Sequence, residues 1–269
     1  MRTETITSAQ NSKIKMLLAL GEKSRTRREN SLFVVEGRKE IGHCLDAGYK
    51  VRTLFACPEI IPERELEKIA ERCGEDCTIV NVPAHLYEKI AYRGSTEGVI
   101  AEAEIIDKSL DDIKLRENPL VIVLESVEKP GNLGAVLRTA DAADADAVIV
   151  CDPLTDLYNP NLIRSSLGAT FTRQVVAASS GETLKWLNDN NIKIYTAQLQ
   201  DSEWYYDTDM KCGTALVIGT EHEGLSTFWR MHADAHVKIP MLGQMDSLNV
   251  SVSAAILMFE AVRQRNSKL

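Results

Sequence analysis

The chain is expected to fold as α/β, with a smaller N-terminal α/β domain followed by a larger domain built around a parallel sheet. Three observations carry this expectation. Strand-like apolar runs alternate with helix-like segments along the whole sequence, as βα units require. The run Leu120-Val121-Ile122-Val123-Leu124 is continuously apolar, as in a strand covered on both faces. Finally, three short stretches place Gly, Asn, Ser or charged residues directly behind such runs, at the strand ends where open α/β sheets bind ligands. They are Pro130-Gly131-Asn132-Leu133-Gly134 through Arg138, Ile218-Gly219-Thr220-Glu221-His222-Glu223-Gly224-Leu225-Ser226, and Ile239-Pro240-Met241 through Ser247-Leu248-Asn249.

In chain order, residues 14–20 present apolar positions between charges and read as an amphipathic helix. Residues 32–35 read as a strand, 37–47 as a helix, 51–56 as a strand, 63–72 as a helix, and 78–82 and 98–103 as strands. Residues 105–118 are charged, weakly periodic and followed by Pro119, which marks a linker with room for a helical turn. Beyond it, strands are expected at 120–124, 147–151, 174–177, 192–197, 215–219 and 236–239. Helices fill 132–143, 160–167, 182–188 and 225–231, and a long one runs from about 249 to 264. The expected domains are therefore 1–104 and 119–269, joined by 105–118.

At 269 residues and 44% apolar content the chain can bury a full core, and no stretch is long and apolar enough to cross a bilayer. The N-terminus lacks the apolar core of a signal peptide, so a cytoplasmic location is expected. The six cysteines are scattered, which suits reduced thiols. Cys73 and Cys77 lack a second pair at ligand spacing, and His232 and His236 lack a third ligand nearby, so no metal is expected. Net charge is -8, which argues against indiscriminate coating of nucleic acid. Residues 1–30 nevertheless carry seven cations against three carboxylates, +4, leaving -12 for the remainder. Lys13, Lys15, Arg25, Arg27 and Arg28 within that basic stripe suit a local polyanion contact.

Asn132 is a good helix N-cap after the Pro-Gly turn, and it leads into a small-residue helix face of Ala135, Val136, Leu137 and Ala140. Arg138 falls inside that helix, where a guanidinium among Ala, Val and Leu needs an anionic partner or a polar cleft; Asp141 is the local carboxylate that would serve. Gly219 and Gly224 bracket a short loop whose bare backbone can approach a ligand. Ser247 or Asn249 caps the last helix, whose free N–H groups suit a carboxylate.

Together these stretches give Asn-x5-Arg, Gly-x-Glu-x-x-Gly-Leu-Ser and Ile-Pro-Met-x6-Leu-Asn, in order, between Leu120 and Arg265. In this the chain resembles the SpoU/TrmH family of RNA ribose methyltransferases, within the SPOUT superfamily. The front half is similar to the substrate-binding domain often joined to it, through 6–15, Phe33-Val34-Val35-Glu36-Gly37 and Glu97-Gly98-Val99.

The resemblance implies a C-terminal sheet threaded into a trefoil knot, a homodimer, and S-adenosylmethionine bound in the knot. It implies cofactor contacts at Thr196, Ala197, Gly219, Ile239, Met241 and Leu248, and a catalytic cleft at Asn132, Arg138, Glu221, Ser247 and Asn249. Arg164, within Arg164-Ser165-Ser166-Leu167-Gly168-Ala169, matches a recurring family segment and is expected to face RNA. The implied reaction is methyl transfer to a ribose 2′-hydroxyl of structured RNA, ribosomal RNA by preference and transfer RNA as the alternative. A neutral guanidinium at pH 7 costs roughly 7 to 9 kcal/mol, so the arginine is expected to fix a phosphate and steady an oxyanion more than to remove a proton. Two other readings are a dinucleotide-binding oxidoreductase, against which the first βα turn lacks Gly-x-Gly-x-x-Gly, and a non-catalytic RNA-binding protein, against which Arg138, Glu221 and Asn249 are all present.

Overall fold

The computed structural model describes residues 2–92, 97–127, 129–153, 156–220, 223–245 and 247–266. The chain forms two compact units. The first contains Met1–Asp107 and Asp156–Thr172, the second Lys108–Thr155 and Arg173–Leu269. This differs from the domain limits the sequence suggests. Residues 156–172 leave the C-terminal half to join the first unit, and 108–118 belong to the second.

In the first unit, β1 (Arg2–Thr5), α1 (Ser12–Glu22), α2 (Ser24–Asn30), β2 (Leu32–Glu36), α3 (Arg38–Asp46), β3 (Val51–Ala56), α4 (Glu63–Cys73), β4 (Thr78–Asn81), α5 (Ala84–Ile90) and β5 (Val99–Glu104) follow in order. Strand order is β1-β4-β3-β5-β2, with β1, β4 and β3 parallel and β5 antiparallel to both its neighbours. Side chains alternate across this sheet, as a strand period of two demands. Phe33, Leu54 and Ala101 join one buried cluster, while Val34, Phe55 and Ile100 join the other with Ile14, Leu17 and Leu20 of α1. Residues 156–172 complete the first cluster: Ile163 and Phe171 are buried in it, and the Tyr158 ring lies 4.6 Å from that of Phe33. That burial is the physical reason this segment departs from its neighbours in sequence.

The second unit holds β6 (Leu120–Glu125), α6 (Pro130–Ala142), β7 (Ala147–Cys151), β8 (Gln174–Ala178), α9 (Ser180–Asp189), β9 (Lys193–Ala197), β10 (Glu203–Trp204), β11 (Thr214–Ile218), α10 (Thr227–His232), β12 (Ala235–Lys238) and α11 (Val250–Arg265). Helices α7 (Pro160–Ser165) and α8 (Ala169–Thr172) lie in the first unit. Among the described residues the sheet runs β10-β12-β9-β11-β6-β7-β8, parallel throughout. One face buries Val121, Val123, Ala215 and Val217 beneath Leu187 of α9 and Trp229 of α10. On the other, α11 packs against α6 and β11. The sheet margin is pinned by Asp146, whose carboxylate accepts from Arg116 and from the backbone N–H of Leu120. Burial pushes its pKa up, but those hydrogen bonds and the guanidinium outweigh it and leave the carboxyl below its usual range.

Helix α6 begins three residues earlier than a cap at Asn132 implies. Lys129 is its N-cap and Pro130 its first residue, where a proline loses no hydrogen bond and its fixed φ suits a helix. Asn132 is thereby moved into the first turn.

Candidate functional site

Strands β9, β11 and β12 are adjacent, and their C-terminal ends open into a cavity of about 330 Å³. Its wall brings together Ala197, Gly219, Ile239, Met241, Ser247 and Leu248, all named by the sequence. Leu225 of the second motif lines it too, as do Gln198, Arg230 and Lys238, which the sequence did not single out. At Gly219 the backbone runs close against that of Gly224. A Cβ there would stand 2.1 Å from the carbonyl oxygen of Gly224, and Thr220 and Gly224 pair as an isolated bridge. Only a residue without a side chain lets the backbone at position 219 lie this close to that of Gly224.

Asn249 caps α11 by accepting from the backbone N–H and the hydroxyl of Ser251. Its Nδ2 donates to Asn132 Oδ1 at 3.1 Å, tying the last motif to the first. The middle motif is tied in by Glu125, at the end of β6. This buried carboxylate accepts from the Ser226 backbone N–H at 2.8 Å and from its hydroxyl at 2.6 Å. A lone carboxylate ending an apolar run was the signal for Glu125, though its partner lies 101 residues away.

The other residues singled out by the sequence are placed as follows. Thr196 is fully buried inside the sheet and does not line the cavity; its hydroxyl lies 2.6 Å from His236 Nδ1. Asp141 does not hold Arg138: Arg173 takes its carboxylate at 3.0 Å. Arg138 is exposed and has no ion pair among the described residues, and it does not line the cavity. Glu221 lies outside the described residues. His232 Nδ1 is 2.8 Å from the Phe228 carbonyl oxygen, whereas His236 Nδ1 is turned to the Thr196 hydroxyl.

The first-unit cations divide. Arg27 is buried, with Nε on Asp156 Oδ2 and Nη1 on the Leu20 carbonyl oxygen, both at 2.6 Å, so it is a structural residue and not a surface contact for RNA. Lys13 pairs with Glu4, and Arg25 with Glu29. Lys15 and Arg28 are exposed without an ion pair among the described residues. Arg164, also exposed, donates to the Tyr92 carbonyl oxygen at 3.0 Å and lies over the Tyr92 ring.

Charge at the cavity comes from Glu223, Arg230 and Lys238, none of which has an ion pair among the described residues. Burial pushes both Cys151 and Tyr195 of this sheet up to about 12, so each is neutral at physiological pH and neither supplies a thiolate or phenolate nucleophile. What remains is a cavity that combines apolar side chains with amide, hydroxyl and charged groups, an arrangement that can orient a small molecule.

Residues 119–259 match the model of the SpoU rRNA Methylase family, and residues 11–101 that of the MRM3-like substrate binding domain. The chain is 33% identical over 258 residues to the 23S rRNA (uridine(2479)-2'-O)-methyltransferase of Streptomyces viridochromogenes, covering 92% of this chain and 88% of that one. It is 28% identical to the 23S rRNA (guanosine(2553)-2'-O)-methyltransferase of Bacillus subtilis, covering 94% and 97%. The crystal structure of an AdoMet-bound rRNA methyltransferase from Sinorhizobium meliloti superposes with a TM-score of 0.89 at 28% identity, over 97% of this chain and 98% of that one.

Proposed function

This chain belongs to the SpoU rRNA methylase family, and on that premise we propose that it transfers a methyl group from S-adenosylmethionine to a ribose 2′-hydroxyl of ribosomal RNA. One observation carries the reading: groups from three distant stretches of chain converge at the C-terminal ends of β9, β11 and β12, with Asn132 and Asn249 in contact and Gly219, Ile239 and Leu248 around one cavity.

The residues present fit the cofactor. A cavity of about 330 Å³ lies within the range of small-molecule sites, and its wall includes Gly219 and Gly224, whose backbones meet with no room for a side chain between them. Ile218, Leu225, Val237, Ile239, Leu248 and Leu257 offer apolar surface to an adenine. When bound, the cofactor supplies an activated methyl on a sulfonium, so the protein's task is alignment and charge management. Asn249 and Asn132 hold each other in place beside the cavity. Arg138 acts as a cation that fixes an RNA phosphate and steadies the charge developing on the attacking oxygen. Arg28, Lys15 and Arg164 supply exposed positive charge for RNA in the first unit.

Two finer features belong to the same proposal. The return of α11 to α6 and β11, after the chain has gone out to β12 beyond β9, suits a C-terminal trefoil knot. Val252 and Phe259, 45% and 48% exposed on the outer side of α11, suit a homodimer face. A ribosomal substrate places the enzyme in the cell interior. The test is to map ribose 2′-O-methylation across total RNA from cells with and without the protein. One ribosomal position that loses its methyl supports the reading; methylation confined to transfer RNA replaces the substrate, and no methyl transfer to any RNA sugar overturns the activity.

A further inference from the structure

Gln198 directly follows β9 and lines the cavity. Its backbone N–H donates to the Val237 carbonyl oxygen at 3.0 Å, which fixes its Cα on the sheet. Its side-chain Nε2 donates to the Gln200 carbonyl oxygen at 2.9 Å. A carbonyl only accepts, so this bond sets which way round the carboxamide sits: the amine toward Gln200, the oxygen away from it. That Oε1 is buried and has no hydrogen-bond partner among the described residues. Buried acceptors are normally satisfied, and an oriented orphan on a cavity wall calls for a donor from whatever fills the cavity.

We propose that Gln198 Oε1 accepts a hydrogen bond from a neutral donor on the cofactor's nucleoside, either the adenine amine or a ribose hydroxyl, and so selects the cofactor. The inference rests on the S-adenosylmethionine reading above. The cofactor carries three kinds of donor. Its ammonium is charged and is costly to desolvate against a neutral amide oxygen, whereas Glu223 at the same cavity offers a carboxylate. The neutral amine and hydroxyls carry no such penalty, and the apolar side chains nearby suit the base that bears them.

The experiment measures S-adenosylhomocysteine binding by calorimetry to the full chain and to Gln198→Met, which keeps the length of the side chain and removes the acceptor. The expected result is affinity weaker by about tenfold in the variant, with thermal unfolding of the ligand-free proteins alike. Two analogues assign the donor. If the amine is bound, S-inosylhomocysteine binds both proteins weakly and the penalty of Gln198→Met disappears with it. If a hydroxyl is bound, the penalty survives in the inosyl analogue and disappears with a ribose-deoxy analogue. Equal affinity of both proteins for S-adenosylhomocysteine overturns the proposal while leaving the activity intact, and so does a penalty that persists with every analogue. Failure of the unaltered protein to bind S-adenosylhomocysteine at all overturns the cofactor reading as well. Should Gln198→Met unfold, Gln198→Leu serves in its place with the same reading: affinity weaker by about tenfold supports the proposal, and unchanged affinity overturns it.

Discussion

Asn249 Nδ2 donates to Asn132 Oδ1 across 3.1 Å, joining the N-cap of α11 to the first turn of α6 over 117 residues of sequence. Each end of the bond does something separable. Asn249 also caps α11 through its Oδ1, so Asn249→Asp keeps the cap and loses the donor, while Asn249→Ala loses both. Asn249→Ala is expected to unfold more easily by about 1 kcal/mol, and Asn249→Asp to keep its stability. Both are expected to lose most methyl transfer. Denaturant melts beside a tritiated-methyl assay check this, and full activity in Asn249→Asp would remove the bridge from the mechanism.

Arg138 is exposed with no ion pair among the described residues, so its replacement should barely touch stability. Arg138→Ala is expected to unfold within about 0.5 kcal/mol of the parent. Methyl transfer should fall by about 10² to 10³, because a cation that stabilises developing charge is lost. Arg138→Lys separates charge from geometry: near-normal transfer would show that the guanidinium fork is dispensable.

Gly219→Ala puts a Cβ 2.1 Å from the Gly224 carbonyl oxygen, a contact only a backbone shift can relieve. Overpacking of this kind costs about 2 kcal/mol, and the shift it forces falls on Gly219 and Gly224, which both line the cavity. The variant is expected to bind S-adenosylhomocysteine at least tenfold more weakly. Calorimetry decides it, since unchanged affinity would show that the loop yields without reshaping the site.

Glu102 on β5 gives a pH dependence to the first unit. Burial raises its pKa to about 7, against partial relief from a hydrogen bond with Thr53 and the charge of Lys13, and Oε1 is buried without a hydrogen-bond partner among the described residues. A carboxyl whose folded value lies above its unfolded value of 4.5 contributes stability at low pH and loses it as pH rises toward 7. Spanning that shift, the loss is on the order of 3 kcal/mol. Glu102→Gln is therefore expected to raise the melting temperature at pH 8 and to change it little at pH 5. A stabilisation equal at both pH values would refute the assignment.

Arg27 and Arg28 are adjacent in sequence and opposite in role. Arg27→Ala leaves Asp156 without its guanidinium and is expected to destabilise the first unit by about 3 kcal/mol. Arg28→Ala should leave stability unchanged and lower the salt dependence of RNA binding by about one counterion. Filter binding across a salt series, paired with thermal melts, distinguishes them; the reverse pattern would mean the burial of Arg27 is not its working state.

The parallel sheet and its helices were legible because burial on both faces leaves runs such as 120–124 that no exposed strand tolerates. The three motifs were legible because the turns behind strands need particular residues: a glycine where backbone meets backbone, an asparagine where a helix starts. Everything that depended on contact across long separations was not. The Asn132 bridge, the Glu125 anchor of Ser226, the burial of Arg27 by Asp156 and the passage of 156–172 into the first unit each pair residues about 100 or more positions apart, or move a segment between units. Local periodicity reports which face of an element seeks the core, so the sequence alone determined the elements and the chemistry available at their ends. Which partners those faces and charges meet is set by how the chain packs as a whole, and only the tertiary structure decided whether a given arginine would be buried in the scaffold or left exposed.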